Sequence, residues 1–146
     1  MKDTMPALAK FNPIRVVCFD DLPDITAVLR IIIDNEPDME CVGEFRSANG
    51  LLGIVHDLDV RPDVPLVIVL DGVMPGANSF EAMRELSRVA PHVKTIIYSG
   101  HKNRAIIDES IECGACGYVC KSDEPEILVS AVRNVARGRT FFPREI

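Results

Sequence analysis

The chain has 146 residues, 47% hydrophobic and 26% charged, the size of one domain able to bury a real core. Its formal net charge of −6 argues against a direct grip on nucleic acid or an anionic membrane, since such binding relies on Lys and Arg neutralising phosphates. No apolar run reaches the roughly 20 residues of a membrane helix, and the opening MKDTMPALAKFNP lacks the apolar core and cleavage site of a secretory signal, so a cytoplasmic protein is expected.

In chain order, IRVVCF (14–19) predicts the first strand, and Pro23 opens a helix whose apolar residues Ile25, Val28, Leu29, Ile32 and Ile33 recur at spacings of three and four. MECVGEF (39–45) predicts a second strand. Leu51 to Leu58 fits a helix, although Gly50 and Gly53 weaken it. HDLDVRPDVP (56–65) reads as a long loop, PLVIVL (65–70) as a third strand and Phe80 to Val89 as a third helix. VKTIIYS (93–99) and CGYVC (116–120) complete the strands. Between them, 103–112 is a helix with only Ile106, Ile107 and Ile111 as apolar anchors. A last helix follows SDEPE, with Leu128, Ala131, Val132, Val135 and Ala136 on one face.

The first, third and fourth strands are apolar almost throughout, as in parallel strands covered on both faces. Repeated strand–helix alternation therefore predicts an α/β doubly wound, five-stranded parallel sheet with helices on both faces. Residues 1–13 read as an N-terminal extension, 14–138 as the domain and 139–146 as the start of a C-terminal linker. Both ends look peripheral.

Ligands in open α/β sheets bind outside the carboxyl ends of the strands. The first strand ends in Asp20 and Asp21, the third in Asp71, the fourth in Ser99 and Gly100, and the fifth in Lys121. Three converging carboxylates repel one another unless a cation offsets them. An oxygen-only donor set favours Mg²⁺. Lys121 can pair with an anion and Ser99 can donate a hydrogen bond to one. Such a site suits a phosphoryl group, with Asp71 as the nucleophile. A single Asp after a strand is more often a turn former or helix cap; the ordered combination is what points to chemistry.

These residues carry a family resemblance. VVCFDDLPD, VIVLDGVMPG, IIYSGH and GACGYVCKSDEPEILVSAV resemble the receiver (CheY-like) domain of two-component response regulators over about residues 14 to 137. The resemblance implies the strand order 2-1-3-4-5 and a phosphoacceptor domain rather than an enzyme acting on a separate substrate. It further implies Asp71 as phosphoacceptor, Asp21 as direct Mg²⁺ ligand, Asp20 as a ligand through water and the Val73 carbonyl as a further one. Ser99 and Lys121 would bind phosphoryl oxygens. Ser99 and Tyr118 would form the switch, Tyr118 turning inward once Ser99 moves. The implied partners are a sensor histidine kinase and a second copy, docked through the fourth helix, fifth strand and fifth helix.

Asn78-Ser79 replaces the family's usual Asp-Gly yet still offers a helix cap. Val73 and His101 occupy the positions that tune dephosphorylation in the family. NVARGRTFFP resembles the junction by which NarL/FixJ (LuxR-type) regulators pass to a helix-turn-helix domain, so DNA contact is expected only through a domain absent from this chain. A stand-alone regulator is the alternative. A phosphate-independent interaction module is the main rival function. A metal-dependent phosphatase would carry a second Asp at the position of Val73, and a flavodoxin relative would not place DDLPD after its first strand.

Of five cysteines, Cys18 and Cys41 lie in apolar runs and read as buried free thiols. Cys113 and Cys116 form a Cys-x-x-Cys without the second pair a structural zinc site needs. Cys120 is expected to face a packing layer, and His56 and His92 to be solvated.

Overall fold

The computed structural model describes residues 12–59, 61, 63–72, 74 and 78–144. In chain order the elements are β1 (Ile14–Phe19), α1 (Pro23–Asp34), β2 (Met39–Phe45), α2 (Leu51–Leu58), β3 (Leu66–Leu70), α3 (Ser79–Val89), β4 (Lys94–Ser99), α4 (Arg104–Glu112), β5 (Gly117–Cys120) and α5 (Pro125–Ala136). The strands form one parallel sheet in the order β2-β1-β3-β4-β5. This is the expected doubly wound fold, and the element boundaries fall within a residue or two of those predicted from the sequence.

Every residue of β3 is buried, because helices cover both of its faces. On one face Val16, Cys18, Val67, Val69 and Ile96 pack under α1 and α5, meeting Leu29, Ile33, Leu128, Val132 and Val135. On the other, Val17, Phe19, Ile68, Leu70 and Ile97 pack with Leu51, Val55, Met83, Leu86 and Ile107 from α2, α3 and α4. Alternation along each strand thus divides one apolar sequence run between two cores.

The α1 stripe is largely the expected one, since Ile25, Leu29, Ile32 and Ile33 lie in or against one core. Its buried residues are Thr26, Leu29 and Ile33, whereas Val28 is 51% exposed. The Thr26 hydroxyl donates to the Pro23 carbonyl, so its polar group is satisfied without water. Gly50 serves α2 as a left-handed N-cap residue at φ 75°, where a side chain would be strained. Asn78 caps α3 as expected, its side chain accepting from the amides of Phe80 and Glu81.

The loop before β3 begins after Leu58, where α2 ends as expected. Arg15, buried in β1, holds it: Nη1 donates to the Leu58 carbonyl and Nη2 to those of Arg61 and Val64, the last at 2.9 Å. Arg15→Met should cost about 1–2 kcal/mol in urea unfolding and open this loop to proteolysis, because three carbonyls lose a charged donor. A loss within error would show that the loop closes by other means. His92 is exposed, as expected, and pairs with Asp59 at 2.5 Å. His56 is exposed as expected.

The tail is not peripheral. Phe141 bridges Gly117 in parallel, and Phe141 and Phe142 join the two cores from either side of β5. Residues 1–11 and 145–146 lie outside the described residues.

Candidate functional site

Strand register builds the site. Phe19 is level with Leu70, so Asp20 and Asp71 leave adjacent strands side by side, and the Asp71 amide donates to the Phe19 carbonyl at 2.9 Å. Ser99 ends β4 level with Cys120, and the Lys121 amide donates to the Ser99 carbonyl at 2.8 Å. Four strands therefore deliver their polar ends to one rim of the sheet.

Asp20, Asp21 and Asp71 each offer a carboxylate oxygen within 4.8 Å of the others. Asp20 is fully buried and Asp71 is 6% exposed, while Asp21 is partly open to solvent. Asp20 Oδ1 accepts from the Leu22 amide, shaping the turn into α1. Its Oδ2 forms an ion pair with Lys121 Nζ at 2.7 Å that lacks hydrogen-bond alignment. Lys121 Nζ also lies 3.4 Å from Asp71 Oδ2. Burial opposes the charge on Lys121, but its contacts with Asp20 and Asp71 outweigh that effect and hold its pKa above the ordinary lysine value. The sequence places Lys121 against a phosphoryl group; the structure shows its resting partners to be the two buried acids.

Ser99 is buried, and its Oγ accepts from the His101 amide at 3.1 Å. Tyr118 is only 1% exposed, and its hydroxyl donates to the His101 carbonyl. Burial raises the Tyr118 pKa. The ring expected to turn inward after a movement of Ser99 is thus already inside, held by the residue two beyond that serine. The His101 carbonyl had no signal in the sequence, because a backbone acceptor carries no residue type. Val73, whose carbonyl the resemblance made a metal ligand, lies outside the described residues.

The Cys-x-x-Cys does not form a site. Cys113 packs in the core under α4, whereas Cys116 packs on the other face of the sheet. Cys18, Cys41 and Cys120 are buried free thiols, as expected. Among the described residues the acidic rim is the one His, Cys, Asp or Glu cluster of metal-holding geometry.

Compared with known families, residues 16–133 match the response regulator receiver domain. The chain belongs to that family. This receiver is 31% identical over 131 residues to the uncharacterized transcriptional regulatory protein YxjL of Bacillus subtilis, covering 90% of this chain and 58% of that protein. It is 30% identical over 127 residues to the nitrate/nitrite response regulator protein NarL of Escherichia coli, covering 87% of this chain and 56% of that protein. It therefore spans little more than half the length of these relatives. A two-component response regulator of the LuxR family from Aurantimonas sp. superposes with a TM-score of 0.79 at 27% identity, covering 88% of this chain and 89% of that one. The receiver is thus of the NarL/LuxR type. Among its described residues no helix is long and apolar enough to cross a membrane.

Proposed function

We propose that this receiver takes a phosphoryl group on Asp71 from a sensor histidine kinase and so sets the state of an output surface. The supporting observation is the rim where Asp20, Asp21 and Asp71 converge within 4.8 Å and Lys121 bridges the two buried acids. An all-oxygen donor set with a buried carboxylate oxygen lacking any hydrogen bond fits a hard divalent cation. Asp21 and Asp71 would hold Mg²⁺ directly, Asp20 through water, and the Val73 carbonyl would complete the protein's ligands. Bound there, the ion supplies charge compensation for a transferring phosphoryl group.

An Asp71 carboxylate oxygen attacks phosphorus; the new O–P bond forms as the P–N bond to the donor histidine breaks, and the imidazole departs with the electron pair. Lys121 exchanges its Asp71 contact for a phosphoryl oxygen. Ser99 donates its hydroxyl hydrogen to another, while its oxygen accepts from the His101 amide. The chain thus catalyses its own modification with positioned charges. Control of transcription through a further DNA-binding domain, in keeping with the names of the relatives, a cytoplasmic location and pairing of two copies through α4, β5 and α5 are parts of the same proposal.

Incubation with acetyl phosphate and Mg²⁺ should add one phosphoryl group to the intact mass, and EDTA or Asp71→Asn should abolish the gain. No gain, or a gain surviving Asp71→Asn, would defeat the assignment and favour a phosphate-independent module or another acceptor.

A further inference from the structure

Lys121 serves two states of the rim. At rest its ammonium lies 2.7 Å from Asp20 Oδ2 and 3.4 Å from Asp71 Oδ2, and after transfer it must reach a phosphoryl oxygen on Asp71. A lysine carries its charge on a flexible four-carbon stem, so the head follows whatever anion is in reach. The Lys121 side chain is 21% exposed, which leaves it room to swing. Other anions are close along the chain, because Asp123 and Glu124 lead into α5 and both are exposed.

Tyr98 stands beside this lysine. Phe19, Leu70 and Ile97 are level across β1, β3 and β4, so the next residues of the three strands are Asp20, Asp71 and Tyr98. On its other side Tyr98 is level with Val119, two residues before Lys121. Its side chain is partly buried and packs against the core under α1 and α5, on the face of the sheet that α5 covers. Lys121 Nζ lies over the ring, 6.0 Å from its centroid. The face of an aromatic ring carries partial negative charge and attracts a cation at that distance. Burial raises the Tyr98 pKa, so the ring meets the ammonium as a neutral phenol. Such an attraction lacks the fixed acceptor atom of a carboxylate, and it holds the ammonium at the rim without fastening it to one oxygen.

We propose that Tyr98 is a positioning residue for the phosphoryl transfer, its ring keeping the Lys121 ammonium beside Asp20 and Asp71, within reach of the phosphoryl oxygen. The inference rests on the phosphoacceptor reading above. Tyr98 acts through the lysine and not on the reacting atoms. Without the ring the ammonium turns toward Asp123 and Glu124 for part of the time, and transfer waits for its return.

The rate of phosphoryl mass gain on the full chain, with acetyl phosphate and Mg²⁺, tests this. Tyr98→Leu and Tyr98→Met keep an apolar side chain in the packing layer and remove the ring, and each should slow the gain by about threefold, the scale of a weak cation–ring attraction. Tyr98→Phe keeps the ring and should restore the wild-type rate. In a Lys121→Met background Tyr98→Leu should add no further loss, because the residue through which the ring acts is gone. Three results would each overturn the proposal while leaving Asp71 as acceptor: wild-type rates in Tyr98→Leu and Tyr98→Met, a Tyr98→Phe rate as slow as theirs, or an undiminished loss in the Lys121→Met background. A second arm needs no phosphate. In proton–carbon correlation spectra the Lys121 ε-methylene signal, identified by its absence in Lys121→Met, should move in Tyr98→Leu as the field of the ring is lost, and stay in place in Tyr98→Phe. An unmoved signal in Tyr98→Leu overturns the contact. Absence of any phosphoryl mass gain in the wild type overturns both readings, since the role of the ring lies in that transfer.

Discussion

Replacing Lys121 by Met should lower the unfolding free energy by about 3 kcal/mol at neutral pH in EDTA, the cost expected when one partner of a buried ion pair is deleted. Asp20 has no exposure to water, and Lys121 is the cation at 2.7 Å from its Oδ2. The backbone amide of Leu22 satisfies only the other oxygen. Removing the ammonium takes away this cation's offset to the repulsion among Asp20, Asp21 and Asp71. Because the folded lysine pKa is raised, the stabilisation is fully present below the ordinary lysine value and is lost only as pH rises through the raised one. A measurement at pH 7 therefore reads the whole contribution.

Mg²⁺ decides between this account and a packing explanation. A divalent ion that binds the native rim stabilises it by mass action, and the gain should be larger in the Lys121→Met protein, where no ammonium competes for the carboxylates. Urea melts across an Mg²⁺ series measure both effects. A loss below about 1 kcal/mol, or a variant with no larger response to Mg²⁺ than the wild type, would show that Lys121 does not balance these acids.

The convergence of the acids was legible because it depends only on where each strand stops. Asp20, Asp71, Ser99 and Lys121 each follow a run of strand-forming residues, and parallel register does the rest. Distances between elements were not legible. Nothing in the spelling of Lys121 distinguishes a lysine waiting for phosphate from one already paired with Asp20 and Asp71. The inward position of Tyr118 depends on a backbone carbonyl at His101, and the docking of Phe141 depends on the room left by Gly117. Periodicity failed at Thr26 for a different reason. A hydropathy pattern treats a hydroxyl as polar, but one that donates to a carbonyl three residues earlier can be buried at little cost.

The α1 stripe allows a contrast between a buried and an exposed residue of one helix. Leu29→Ala should cost about 3–4 kcal/mol, since Leu29 is 1% exposed and its removal leaves a cavity between β1 and α1. Ile31→Ala should cost less than about 0.5 kcal/mol, because Ile31 is 69% exposed and its side chain already meets water. Equilibrium urea unfolding at two protein concentrations separates the terms. The Leu29 effect belongs to the folded chain and must be independent of concentration. If Ile31→Ala costs far more than expected, and only at the higher concentration, the exposed face of α1 is covered in solution by a second copy, and mass action has entered the apparent stability. If Leu29→Ala is as mild as Ile31→Ala, Leu29 is not what seats the helix on the sheet.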